Sequence, residues 1–287
     1  MPSLIDLRRR IRSVKNTQQI TKAMKMVSAA RLRRAQEMVL SARPYAHLLR
    51  RMLQNVAAAA AGDQEAASNP LLARRPENRI LILVMTGDRG LAGAFNSSVI
   101  KTVQKFITDR PDAHVELELM GRKGRDFFRK RYKYVSGEHS TLFLRTVKME
   151  DALAIARKAI DLFRNEEIDA VYLVGNEFKS IAAQIVTTTR LLPVDVPETE
   201  ERIDYTYEEP PAQLLAALLP KYVETSVYSA MLESSAAEHA ARMRSMDAAT
   251  TNAGDVIEKY TMTLNRVRQA SITKEIIEIV SGAAALG

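Results

Sequence analysis

Gly87, Gly90 and Gly93 follow a continuous apolar run, ILILVM at 80–85, and a glycine turn directly after a buried strand is where phosphate-binding loops lie. The spacing here is G-x-x-G-x-x-G. A dinucleotide fingerprint needs G-x-G-x-x-G, and a P-loop needs a Lys and a Ser or Thr after its last glycine. The glycines therefore read as a tight turn with close helix approach, and Asp88 beside Arg89 as a salt-linked turn. No Ser/His/Asp grouping or carboxylate pair is identifiable. His47, His114, His139 and His239 are isolated from one another, without the i, i+4 pairing of a helical zinc site. Zero Cys excludes disulfides, thiolate nucleophiles and cysteine-bound metals. No catalytic residue, metal or cofactor is assigned.

A different chemistry, hydrogen bonding to a partner, is concentrated near the C-terminus. Asn265, Arg266, Arg268, Gln269, Thr273, Lys274 and Glu275 cluster beside an apolar stripe, where a plain coiled coil tolerates almost any residue. A second concentration is acidic. Residues 195–209 hold Asp195, Glu198, Glu200, Glu201, Asp204, Glu208 and Glu209 against Arg202, a local charge of −6. Such a run is commonly a solvated connection, but this one joins the central domain to the second long helix and so lies at its foot.

Long helices must position both groups. From Ala237 through Met246, Val256, Tyr260, Leu264, Ile272 and Ile276 to Ala283, apolar or small residues recur mostly at steps of three or four, a single stripe along one helix. Proline is absent from residue 221 onward, and 211–285 leaves room for 75 residues, about 110 Å of helix. Such a rod has to bury its stripe against another helix or in a partner. At the other end, Ser3 and Asp6 have capping-box spacing, and Leu4, Leu7, Ile11, Val14, Gln18 and Thr21 begin a stripe that runs to Val56, with Pro44 as a local kink. The two helices most simply pair as an antiparallel coiled coil. Asn16, Thr17, Gln18 and Gln19 weaken the seam and suggest a loosened stretch.

Thirteen Lys/Arg against Asp6 and Glu37 give residues 1–51 a charge of +11 in a chain of +8 overall, leaving about −3 for the remainder. The arm lacks aromatic residues between Arg8 and Arg34, which argues against a nucleic-acid stacking platform, and its stripe continues past residue 50, which argues against a transit peptide. A duplex-phosphate or scaffold role stays open by composition. No apolar run reaches bilayer-spanning length.

Between the helices, 57–78 is rich in Ala with Gly62, Pro70 and Pro76 and reads as a linker. From 79 the pattern becomes strands at 80–85, 115–120 and 170–175 alternating with helices at 94–109, 122–131 and 151–163, the signature of βαβ units. The fold class is α/β, with terminal helices forming a long antiparallel coiled coil around a central Rossmann-like open parallel sheet. The divisions are 1–56 helix, 57–78 linker, 79–194 sheet domain, 195–210 acidic connection and 211–287 helix.

Residues 243–286, NTQQITKAMKMVSAARLRRA at 16–35 and GDRGLAGAFN at 87–96 resemble the γ subunit of bacterial F-type ATP synthases. Family members often have Cys where Ala92 stands, and the regulatory Cys pair of chloroplast members is absent. The resemblance implies a non-catalytic central-stalk rotor whose partners are three α and three β subunits, the ε subunit and the membrane c-ring. It implies catalysis in β, no cofactor, and peripheral placement on the cytoplasmic face of the bacterial inner membrane. By match, Lys22, Met24, Arg242, Arg268, Gln269 and Thr273 are the expected β-subunit contacts. Tyr205, Tyr207, Glu208 and Glu209 are the expected c-ring contacts, and Ala283, Ala284, Ala285 and Leu286 the bearing tip. The basic arm is then expected to meet acidic protein surface rather than nucleic acid.

Overall fold

The computed structural model describes residues 3–196 and 207–284. The chain divides into two compact units, one from the described parts of Met1–Ser28 and Met243–Gly287 and one from Ala29–Arg242. Helix α1 (Leu4–Ala59) and helix α6 (Pro211–Ala284) contribute to both.

In the first unit the N-terminus is built as its residues dictate. Ser3 Oγ accepts from the Asp6 N–H at 3.1 Å and donates to its carboxylate at 2.8 Å, so α1 starts at Leu4. The two helices run antiparallel: Lys25 pairs with Asp247 at 2.6 Å, and Thr21 Oγ1 lies 2.8 Å from Thr250 Oγ1. The expected loosening at 16–19 is not found, because the helix is continuous there. Gln18 Nε2 donates to the Thr250 carbonyl at 3.3 Å, so polar seam residues are satisfied across the helix pair rather than unwound. Gly254 opposite lets Gln18 approach, since a Cβ there would lie 3.3 Å from Nε2.

In the second unit a five-stranded sheet has the order β3-β2-β1-β4-β5. Its strands are β1 (Arg79–Met85), β2 (His114–Met120), β3 (Val135–His139), β4 (Ala170–Phe178) and β5 (Gln184–Leu192). β1 lies parallel between β2 and β4, which explains its unbroken apolar run: residues 80–85 are all buried. Crossovers are made by α3 (Phe95–Thr108), α4 (Arg122–Phe128) and α5 (Met149–Arg164). Ile80, Ile82 and Val84 pack with Val99, Val103 and Phe106 of α3 on one face. Leu83 and Glu118 are register partners, and Lys158 of α5 reaches Glu118, so α5 covers the other face.

The sheet departs from the expected one at its edges. β3 reads VSGEH and β5 QIVTTTRLL, polar or half-exposed edge strands without a buried run, and β5 pairs antiparallel to β4. Within 57–78, α1 ends at Ala59 and is followed by α2 (Gln64–Ala67) and a 3-10 turn (Pro70–Leu72). Leu71 is fully buried there, and its carbonyl accepts from Val194 N–H.

Candidate functional site

The strand order reverses at β1, with β2 on one side and β4 on the other, so the crevice beyond its C-terminal end is where an open α/β sheet holds a ligand. In this chain protein groups fill it. Thr86 Oγ1 donates to the Met120 carbonyl at 3.1 Å and accepts from Gly124 N–H at 2.8 Å. Gly121, at φ +95°, permits this, because a Cβ there would lie 1.9 Å from the Thr86 carbonyl oxygen. Asp88 is buried and makes no ion pair with Arg89. Its carboxylate accepts from the backbone N–H groups of Arg122, Thr141 and Phe143 at 2.8–2.9 Å, tying the turn to α4 and to the loop after β3. The salt-linked turn expected there is replaced by a backbone clamp, since main-chain donors had to be satisfied first.

Glu238 and Arg242, one turn apart on α6, close the crevice. Both are more than nine-tenths buried and form an ion pair. Arg242 Nε also donates to the Gly90 carbonyl at 3.3 Å. Arg242, expected as a contact to β, is 7% exposed and bonds to Glu238 and the Gly90 carbonyl within the chain; an Arg beside small residues on a helix did not reveal which face it would take. Burial pushes the Glu238 carboxyl up against the opposing pull of Arg242. It likewise pushes the neighbouring His239 down to about 4, aided by Arg242 and Arg31.

A further buried carboxylate lies on β2, beside Leu83 of β1. Glu118 of β2, 1% exposed in its side chain, lies 2.5 Å from His139 Nε2 and accepts from Lys158 Nζ at 2.7 Å. Burial alone would raise its pKa, but the His139 and Lys158 contacts outweigh it and hold the carboxyl below the usual range. Gly137 leaves room, since a Cβ would meet Glu118 Oε1 at 2.2 Å. Sequence reasoning missed this cluster, because in HVELELM Glu118 alternates with Glu116 on the polar side of the pattern, and only the structure shows that side to be buried at 118.

The remaining expected β contacts lie in the first unit. Lys22, Arg268, Gln269 and Thr273 are exposed and Met24 is half-buried. The cross-pairs, Thr21 with Thr250 and Lys25 with Asp247, set the register, by which Leu4 at the start of α1 stands opposite about residue 267 of α6. Beyond that point α6 runs on to Ala284 with no other helix beside it among the described residues. Ile272, Ile276 and Ile279, read as the end of a coiled-coil stripe, are 49–71% exposed, because α1 is too short to cover them. Ala283 is exposed, and Ala284 is the last residue of α6; Ala285 and Leu286 lie outside the described residues.

At the acidic connection, Glu208 and Glu209 are exposed and Tyr207 is half-buried, directly before α6; Tyr205 lies outside the described residues. Asp195 is already neutralised: Arg74 reaches it at 3.1 Å, and Arg190 pairs with it too. In the basic arm Lys25, Arg33 and Arg43 form ion pairs, with Asp247, Glu37 and Glu233, while Arg8, Arg9, Arg10, Arg12 and Lys15 stand exposed with no ion-pair partner among the described residues.

Comparison with known proteins agrees with this architecture. The family model described as ATP synthase matches residues 3–286. The ATP synthase gamma chain of Solibacter usitatus is 64% identical over 285 residues, covering 99% of each chain. That of Pelotomaculum thermopropionicum is 48% identical across the whole of both. Among solved structures, a chain of the central stalk and c-ring of Tetrahymena thermophila mitochondrial ATP synthase is similar at a TM-score of 0.62 and 26% identity, over 80% of this chain and 99% of that one. A chain from the Euglena gracilis mitochondrial enzyme shares the fold at a TM-score of 0.65 and 16% identity, over 99% and 94%.

Proposed function

The chain belongs to the ATP synthase γ-chain family, and from that premise we propose that it is the central-stalk rotor of an F-type ATP synthase, turned by ion flow through a membrane ring and driving conformational change in the catalytic subunits. The observation that carries this reading is the last part of α6, a single helix whose Ile272, Ile276 and Ile279 are exposed beside Arg268, Gln269 and Thr273. A lone helix of that length is marginal in water and gains its stability from packing. A collar of partner subunits supplies that packing.

The mechanism follows from contact differences. A single helix presents an apolar face and a polar face, so three equivalent partners around it meet three different surfaces. Each contact favours one conformation of the partner, and turning the helix passes that preference on, an effect of differential affinity on a population. We assign the partners as three α and three β subunits, with ATP made or hydrolysed in β, and ε and the c-ring at the foot. Lys22, Met24, Arg268, Gln269 and Thr273 are the proposed β contacts, while Tyr205, Tyr207, Glu208 and Glu209 are proposed to face the ring. The tip, 283–286, is proposed to turn in a bearing. The unpaired cations of the arm favour acidic protein surface, and family membership sets aside the scaffold or nucleic-acid alternative. The assigned location is the cytoplasmic face of the bacterial inner membrane, held through the ring; no helix among the described residues is long and apolar enough to cross a membrane.

Native mass spectrometry of the chain co-expressed with α and β subunits tests the assignment. One copy with three of each, and ATP hydrolysis by that assembly, is the expected result. A persistent monomer or self-associated chain would overturn it.

A further inference from the structure

Within the larger unit a pocket of about 220 Å3 opens between α1, the loop following β3, and α6. Arg31 and Arg34 of α1, Arg145 of the loop and His239 of α6 supply its polar wall, and Phe143 and Val147 are part of its apolar wall. The cations are not equivalent. Arg145 is neutralised by Asp151 at 2.8 Å, and Arg33, between the two α1 arginines, turns to Glu37. Arg31 and Arg34 have no carboxylate within ion-pair distance among the described residues. Standing three apart, they face the same side of the helix, where like charges repel. His239 is neutral at neutral pH, so it does not add to the charge of the pocket. The result is a concave surface with two guanidinium groups outside ion-pair distance of any described carboxylate, Arg31 feeling the buried Glu238 only at longer range, above an aromatic and aliphatic floor.

We propose that this pocket binds a small organic oxyanion, a phosphate or carboxylate on a short apolar body, with the charged head held by Arg31 and Arg34 and the body resting on Phe143 and Val147. Guanidinium forks match both oxyanions and offer paired donors to either. The apolar floor selects for an organic body over a bare ion. This assignment is independent of the rotor reading, since it uses only groups inside one unit.

The test is a titration of the full-length, methyl-labelled chain followed by NMR. Phenyl phosphate is expected to shift the Val147 and Leu232 methyl resonances saturably, inorganic phosphate to shift the same resonances about tenfold more weakly, and phenol to leave them in place. A parallel titration with phenylacetate distinguishes the two head groups, the tighter of the two naming the natural class. Arg31→Gln and Arg34→Gln should each weaken phenyl phosphate binding by about tenfold, the scale of one lost charged hydrogen bond, with partial recovery for Arg→Lys. Gln is a good helix former, so melting temperatures equal to the parent chain verify the fold. Equal shifts with phenol, no saturable shift with any of the oxyanions, or parental affinity in both Gln variants would overturn the proposal.

Discussion

Glu238 of α6 occupies the space that a side chain on Gly87 would need: a Cβ at Gly87 would lie 2.6 Å from Glu238 Oε1. The crevice of the sheet is thus closed by the chain's own carboxylate, and that carboxylate is held by Arg242. Gly87→Ala should destabilise the chain by about 1–3 kcal/mol in urea unfolding, the usual penalty for overpacking. Glu238→Ala should be worse, about 3–5 kcal/mol, because it leaves Arg242 buried without its partner. Equal or greater stability in the Gly87→Ala chain would show that Glu238 moves aside freely.

His239 gives a pH dependence of definite sign. Its native pKa of about 4 lies below its unfolded value of 6.5. Above pH 6.5 both states are neutral and the residue has no effect. As pH falls from 6.5 towards 4 the unfolded chain takes up a proton that the native chain refuses, so stability is lost, by roughly 3 kcal/mol at most. The raised Glu238 carboxyl acts in the opposite sense, which is why the comparison has to be between the parent and His239→Gln. Unfolding free energies measured at pH 7 and pH 4.5 should differ less in the variant; an unchanged difference would remove His239 from the account.

Gly137 and Glu118 make a second close pair, the glycine half-buried and the carboxylate buried. Gly137→Ala should push Glu118 from Lys158 and lower the melting temperature by several degrees, equivalent to about 1–3 kcal/mol. Glu118→Gln keeps the shape but removes the charge, and should be milder. Calorimetry of the three chains orders them.

Arg268→Ala with Gln269→Ala should lower ion-driven ATP synthesis in the assembled complex while leaving the melting temperature of the isolated chain within about 1 °C, because both side chains are exposed and substitution at such sites changes stability little. Parental synthesis rates would take these residues out of the coupling path.

Charge reversal at Glu208 and Glu209 should weaken retention of the complex on the ring, read as ATPase activity released from membranes at rising salt. Both are exposed and precede the first turn of α6, so the helix itself should form as before. Unaltered retention would leave the acidic connection a solvated loop.

What the sequence revealed follows from how each signal arises. The long helices and β1 were legible because a stripe or an apolar run repeats over many residues, and burial on one or both faces demands it. The Ser3–Asp6 cap was legible because its two partners are three residues apart. β3 and β5 were not, since an edge strand needs no buried run. The Asp88 clamp, the Glu238–Arg242 closure and the Glu118 cluster were invisible for another reason. Asp88 meets Thr141 and Phe143 more than fifty residues away, and Glu118 meets Lys158 forty residues away, and no local pattern records such meetings. Arg242 shows the same limit on function: its identity as a helical arginine was plain, but whether it faced solvent or the β1 turn depended on a chain segment far upstream.

The closure of β1 by Glu238 also bears on the order of synthesis. Every strand of the sheet precedes residues 238 and 242 in the chain, so in N- to C-terminal synthesis the side chains that cover Gly87 are made after the last strand. The late arrival of α6 then acts as a latch, and a chain stopped before it would carry a complete set of strands without the side chains that seal their C-terminal end.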